Sequence, residues 1–335
     1  MRLLRWFIVV WAVSWTTGPL WAEPPASSAR ATGRIEFVRE DKVGRLRAMI
    51  DGKEAFSFHY AAEGDLPYIV PRSPSGKAMT VVKTNPYPHH RSLWFGDRVE
   101  LAGVGRIDVY NALYSRADKK DPNSPFGSRV RLVELSKPVV GRAAATIRAK
   151  LLWEKDQKTP VLDEARRMRL TALGAGEYLL DLTFTVTAGY GDVTFVSDAV
   201  HYAWPYVRMA PAFSVLKGGT MTSSTGGVNQ KGTHGKDATW VDYTNTIDGV
   251  TEGLAVLSHS DNRHPHRWLT RDYGTFGPRR IDARSGKRFT LVRGQSLARR
   301  VGILVHTGNV TTGRVGSRYA EYIKPVTPAG RRNAR

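Results

Sequence analysis

The chain has 335 residues, with 50 lysines and arginines against 30 aspartates and glutamates, a formal charge of +20, and no cysteine. The missing thiols exclude disulfides, thiolate metal centres and a cysteine nucleophile together, so a large apolar core has to hold the fold. The positive excess predicts either attraction to polyanions such as acidic glycans or a solvated basic surface, and net charge alone does not choose between them.

At the N-terminus, Arg2 and Arg5 precede the apolar run Trp6–Trp15, and Ala22 stands just before Glu23-Pro24-Pro25. That order of charged, apolar and small residues predicts a signal peptide over residues 1–22 and an exported protein, periplasmic or secreted. Export argues against a nucleic-acid partner. No later segment reaches the roughly 18 uninterrupted apolar residues of a membrane helix, so no span is expected after cleavage. Residues 23–32, rich in Pro, Ala and Ser, read as a linker. Residues 33–325 read as a single domain, and the basic end, residues 326–335, as a disordered tail.

The body alternates with period two. Ala145, Ile147, Ala149, Leu151 and Trp153 share a face, as do Leu180, Leu182, Phe184 and Val186, and Leu297, Val301, Ile303 and Val305. These patterns predict half-buried antiparallel strands. Shorter strands are expected at Ile35–Val38, Glu54–Tyr60, Arg131–Leu135, Thr239–Tyr243, Gly253–His259 and Arg288–Val292. Turn signals such as Asp51-Gly52, Asp248-Gly249 and Ser285-Gly286 separate them. Helical periodicity is nearly confined to a turn at Ser317–Ile323, and Lys217–Gly235 reads as a long functional loop. The fold class that follows is all-β, a large antiparallel two-sheet β-sandwich.

Pro86–Asp97 is the densest stretch of chemistry in the chain. His89 and His90 titrate near neutral pH and suit acid/base work, and Arg91, Trp94 and Asp97 suit substrate binding. The two prolines bias the segment towards a stiff, extended loop. Similar mixtures of polar and aromatic groups recur at His59-Tyr60, at His201-Tyr202, at Trp240 with Asp242, and from Asn262 through His264 and His266 to Trp268. The reading assigns catalysis to His89, His90, Asp242 and His264. Tyr60, Arg91, Trp94, Asp97, Tyr202, Trp240, Asn262, His266 and Trp268 are assigned to substrate, all lining one cavity. His264 and His266 have the spacing of metal ligands on an extended chain, yet two imidazoles do not make a site, and the sequence requires no metal or other cofactor. Nucleophile-elbow, phosphate-loop, His-Glu-x-x-His and dinucleotide signatures are absent. No pair of glycosidase carboxylates can be picked out from Asp97, Glu100, Asp242 and Asp261.

Pro86-Tyr87-Pro88-His89-His90-Arg91-Ser92-Leu93-Trp94-Phe95-Gly96, Thr239–Tyr243, Gly253–Leu257, Asn262–Trp268 and Gly294–Leu297 together resemble a family of exported bacterial proteins labelled methane oxygenase PmoA. The resemblance covers the chain from about Gly33 to Ile323. It implies a large β-sandwich similar to mutarotase-like and carbohydrate-active sandwiches. The label would suggest a copper membrane oxygenase, a helical bundle at odds with this strand-rich pattern. Three functions therefore stand at this stage. The first is an exported hydrolase, lyase or epimerase acting on a saccharide or polyanionic glycan. The second is a non-catalytic carbohydrate-binding or envelope scaffold protein, and the third a metal-dependent oxidase.

Overall fold

The computed structural model describes residues 33–61, 66–110, 127–142, 144–196, 203–262, 266–280 and 288–325. The described residues up to Lys324 belong to one compact unit. The expected signal peptide, linker and basic tail lie outside the described residues.

The body is the antiparallel two-sheet sandwich that the alternation predicts. The first sheet runs, edge to edge, through Ile35–Glu40, Arg45–Ile50, Lys53–His59, Tyr68–Pro71, Leu93–Trp94, Tyr206–Arg208, Thr275–Pro278, His266–Thr270 and Asp237–Ala238. The second runs through Thr220–Ser223, Trp240–Ile247, Val250–Ser258, Ser296–Thr307, Glu177–Thr187, Thr159–Gly174, Ala144–Lys155 and Ser128–Leu135. A small third sheet joins Phe289–Leu291, Val193–Phe195, Arg98–Leu101 and Gly105–Asp108. Helix is limited among the described residues; the longest, Val315–Tyr322, packs on the outside of the second sheet against Leu257 and Leu304. No helix among the described residues is long and apolar enough to cross a membrane.

Two expectations change. Lys217–Gly235 is not one irregular loop: it contains the strand Thr220–Ser223 and the short helix Asn229–Thr233. The longest strand, Thr159–Gly174, has no counterpart in the sequence reading. Its inward positions alternate correctly, but two of them are Glu164 and Arg166, which interrupt the apolar period. These two charges lie in the core as an ion pair, with Arg166 Nη2 at 2.7 Å from Glu164 Oε1. Glu164 also accepts the indole N–H of Trp153 at 2.9 Å. The guanidinium sits between Phe58 of the first sheet, at 5.6 Å, and Phe184 of the second, at 5.0 Å. A buried charge is tolerated when it is paired, and here the pair is also clamped between rings of the two sheets.

Phe58 and Phe184 also settle which way the first sheet faces. Phe58 pairs in register with Ile69, Ile69 with Leu93, Leu93 with Val207, and Val207 with Phe276. Phe276 in turn meets Tyr243 of the second sheet at 4.9 Å. That row faces the core, so the residues beside it in each strand face away from the second sheet.

Candidate functional site

The outward row consists of rings. His59 pairs with Tyr68, Tyr68 with Trp94, and Trp94 with Tyr206, so four consecutive strands carry one ladder. His59 stacks on Tyr68 at 4.7 Å, and Trp94 on Tyr206 at 5.0 Å. Cross-strand rings at this spacing support one another; His59 and Tyr68 are half-buried, and Trp94 and Tyr206 are wholly buried. Tyr110, from beyond the Gly105–Asp108 strand, closes on the ladder at 4.6 Å from Tyr206 and 5.8 Å from Trp94.

The Pro86–Arg91 loop lies over this ladder. Its imidazoles form a contiguous group: His89 meets His90 at 4.6 Å and Tyr110 at 5.3 Å, and His90 meets Trp94 at 5.5 Å. Tyr87 stacks on His90 at 4.9 Å and on Tyr273 at 5.3 Å, tying the loop to the turn before Thr275–Pro278. Ser92, at φ +54°, turns the chain from loop to strand and donates its hydroxyl to the Ile69 carbonyl at 2.7 Å. Arg91 is buried within the loop, where its Nη1 donates to the Pro88 carbonyl at 2.8 Å.

Burial controls the charge of these imidazoles. His89 is pushed down to about 4, by desolvation first and then by Arg91. His90 falls to about 3, by desolvation and then by His89 and Arg208. His59 falls to about 4 through burial, reinforced by Arg45. All three are neutral at physiological pH and able to accept a proton. Asp108 is the carboxylate whose charge reaches His89, and it is engaged by Arg98 at 2.7 Å.

Among the described residues, His90 Nδ1, Trp94 Nε1 and Arg208 Nε in this cluster are buried without a hydrogen-bond partner. Arg208 follows Tyr206 on the same face of its strand, lies 4.6 Å from the Tyr273 ring, and donates its Nη1 to the Tyr273 carbonyl. Next to it a basic group gathers. Arg271 Nη1 lies 2.9 Å from His234 Nδ1, and Arg279 Nη2 lies 3.3 Å from His234 Nε2.

The structure brings together His89, His90 and Trp94, with Arg91 bracing the same loop. It does not gather the other assigned residues into one cavity. Asp97 is wholly buried, accepts the Trp204 indole N–H at 2.8 Å and pairs with Arg280 at 3.2 Å; burial pushes its carboxyl up to about 7 against the pull of Arg280. Asp242 and Trp240 belong to the second sheet, on the face away from the first. There Asp242 meets His306 Nε2 at 3.0 Å, and Trp240 packs beside the Val315–Tyr322 helix. Val241 and Tyr243 take the inward positions of that strand, so period two turns Asp242 outwards, a full sandwich thickness from the ring ladder. Asn262 holds the Ser296–Thr307 strand by donating to the Arg300 carbonyl at 2.7 Å. Trp268 lies in the core and donates to the Ala238 carbonyl at 2.9 Å, with His266 buried on the same side of its strand. Tyr60 sits near the first sheet's edge, donating to Asp41 at 3.2 Å. His264 and Tyr202 lie outside the described residues. Among the described residues no three His, Asp or Glu side chains form a metal-holding group.

Sequence reasoning assigned no role to Tyr68, Tyr110, Arg208, His234, Tyr273 or Arg279. A signal existed for Tyr206 and Arg208, which alternate around Val207 in a short strand. Nothing local marks Tyr110 or Tyr273, whose positions depend on chain segments meeting.

No curated protein matches the sequence. Among solved structures, the GH36 α-galactosidase AgaB from Geobacillus stearothermophilus is 8% identical, with 83% of this chain aligned to 42% of that one at a TM-score of 0.45. The galactose 1-epimerase from Lactobacillus acidophilus NCFM is 10% identical, with 83% of this chain aligned to 100% of that one at a TM-score of 0.37. The chain spans less than half the length of the galactosidases it matches, and at such identities neither likeness speaks to chemistry. Residues 45–320 match one family model across most of the body, and the chain belongs to that family, DUF6807, a family of unknown function.

Proposed function

We propose that this is an exported saccharide-processing protein, that the half-buried rings over and beside the ladder, Tyr68, Tyr87, His89 and Tyr273, form its sugar-binding surface, and that His89 and His90 transfer protons there. The observation that carries the reading is the ladder His59–Tyr68–Trp94–Tyr206 with His90 against Trp94 and His89 against His90 and Tyr110. Flat aromatic faces match the apolar faces of sugar rings, and the polar edges meet hydroxyls. The unpartnered atoms of His90, Trp94 and Arg208 support the same reading. A buried polar group left without a partner costs about 1–3 kcal/mol, and three in one cluster favour a polar ligand that supplies the missing bonds.

The residue types favour proton abstraction over hydrolysis by two carboxylates. The carboxylates near the ladder, Glu40 and Glu54 beside His59 and Asp108 beside His89, are each paired with an arginine, whereas the imidazoles are neutral. His89 is the half-buried member and the first that a ligand meets; His90 lies behind it, beneath Tyr87. A lyase or epimerase step therefore suits the site better than a glycosidase step. A second reading, a non-catalytic carbohydrate-binding protein, is favoured by Arg91 and Asp97 being engaged with protein groups.

The test is incubation of the full chain with a broad oligosaccharide panel, with products followed by mass spectrometry. Turnover that disappears in both His89→Ala and His90→Ala, with melting curves unchanged, is the expected result. Turnover that survives both substitutions removes the acid/base role, and binding without any product favours the second reading.

A further inference from the structure

We infer that the saccharide bound on this face is acidic, and that a carboxylate on the sugar is met by Arg208, Arg271 and Arg279. The inference rests on the saccharide reading above and adds the charge of the ligand.

Strand pairing places the three arginines. Arg208 stands opposite Thr275, and the Thr275 carbonyl accepts the Arg271 N–H at 2.8 Å, so Arg208 and Arg271 flank one position of the middle strand. Four residues along, the Arg279 N–H donates to the Arg267 carbonyl at 2.9 Å, which brings a fourth guanidinium alongside. Arg271 and Arg279 both reach His234.

The partners of these arginines differ from those of four other arginines that are buried or half-buried in the chain. Arg166 is met by Glu164 at 2.7 Å, Arg280 by Asp97 at 3.2 Å, Arg300 by Asp181 at 2.9 Å and Arg318 by Glu177 at 2.5 Å. Among the described residues, the side-chain bonds of Arg208, Arg271 and Arg279 go to carbonyls and to an imidazole, and to no carboxylate. Among the described residues the Nε atoms of Arg208 and Arg279 are buried without a hydrogen-bond partner, as are donors of Arg166, Arg280 and Arg318, so it is the missing carboxylate that sets this group apart. Burial, followed by the charges of Arg271 and Arg267, also holds Arg279 below the ordinary guanidinium range. Like charges gathered this closely, with donors unused, are stabilised by an anion entering among them. A guanidinium fork fits a carboxylate with two parallel hydrogen bonds, and its plane lies readily against rings such as Tyr273. The excess charge of +20 would draw such a ligand in. A sulfate ester offers the same charge and acceptor oxygens from another source, and the experiment separates the two.

The experiment titrates the full chain, at fixed ionic strength, with three probes of equal length: an oligogalacturonate, a neutral galacto-oligosaccharide and a sulfated galactan oligosaccharide. The expected result is uronate binding at least about tenfold tighter than the neutral probe, the value of one charge-assisted contact. Arg279→Gln and Arg271→Gln should each remove about tenfold of that preference and leave neutral-sugar affinity unchanged. If Arg279→Gln does not fold, Arg271→Gln alone carries the measurement. Arg106→Gln, at an exposed arginine of the third sheet, should change nothing. The inference is overturned if the neutral probe binds as tightly as the uronate, if the sulfated probe binds tightest, or if Arg106→Gln costs as much as the site variants. Equal binding of neutral and uronate probes, with turnover lost in His90→Ala, would leave the saccharide reading standing and remove the acidic ligand. Absence of binding to all three probes counts against both.

Discussion

The buried pair Glu164–Arg166 offers the sharpest test of how the sandwich is held together. Both side chains are at most 1% exposed, and they meet at 2.7 Å between rings of the two sheets. Replacing Glu164 by Leu strands the guanidinium in the core and leaves the Trp153 indole N–H without its acceptor. Breaking a buried pair costs about 3–5 kcal/mol, and an orphaned indole donor adds about 1–3 kcal/mol. The guanidinium keeps its contacts with Phe58 and Phe184 in both proteins, so they drop out of the difference, and Glu164→Leu should destabilise by about 4–8 kcal/mol. Arg166→Met should cost about 3–5 kcal/mol, because Glu164 keeps only the indole as partner. The double variant removes both charges and fills the space with apolar atoms, and should be several kcal/mol less destabilised than the sum of the two singles. Urea unfolding of all four proteins, followed by tryptophan fluorescence, measures the cycle. Additive single effects would mean that the pair does not act as a unit, and the account of the core would be wrong.

Further measurements bear on the site and its support. In an NMR titration, His90 should stay neutral down to about pH 4, because burial holds it near 3; a midpoint near 6.5 would place it in solvent. A depressed imidazole contributes stability above its ordinary pKa that is lost as the pH falls towards the folded value, so the stability share of His90 should decline between about 6.5 and 3. On a responsive saccharide, the acid limb of kcat/KM should likewise lie near pH 4 and not near 6.5. Asp97→Ala should destabilise by about 3–5 kcal/mol, since it strands Arg280 in the core. The Asp97 carboxyl is raised, so its stabilising share is complete at low pH and is lost as the pH climbs through about 7. Asp97→Asn should flatten that decline in denaturation midpoints taken from pH 5 to 8.

The residues show why part of the site was legible and part was not. Pro86–Trp94 concentrates imidazole and indole groups within a few positions, and composition alone marks such a loop. Trp268 and Asp97 carry the same residue types, yet the structure commits them to the Ala238 carbonyl and to Arg280. Residue type does not reveal whether a polar atom's partner is protein or ligand. Asp242 failed for a different reason: its strand reads correctly, but the two sheets turn it and Trp94 to opposite outer faces. The strand Thr159–Gly174 was hidden because Glu164 and Arg166 occupy inward positions, and alternation of polarity no longer equals alternation of burial.

By itself the sequence determined the sandwich. Period-two alternation needs only neighbouring residues, and a chain without cysteine, rich in such segments, has to bury their apolar faces against one another. It also marked the loop bearing His89 and His90. Tertiary structure alone decided which face of which sheet that loop covers, the stacking of His59, Tyr68, Trp94 and Tyr206 from four strands, and the arrival of Arg208, Arg271 and Arg279 beside them. Those contacts depend on strand order and register across the whole chain, which no local pattern encodes.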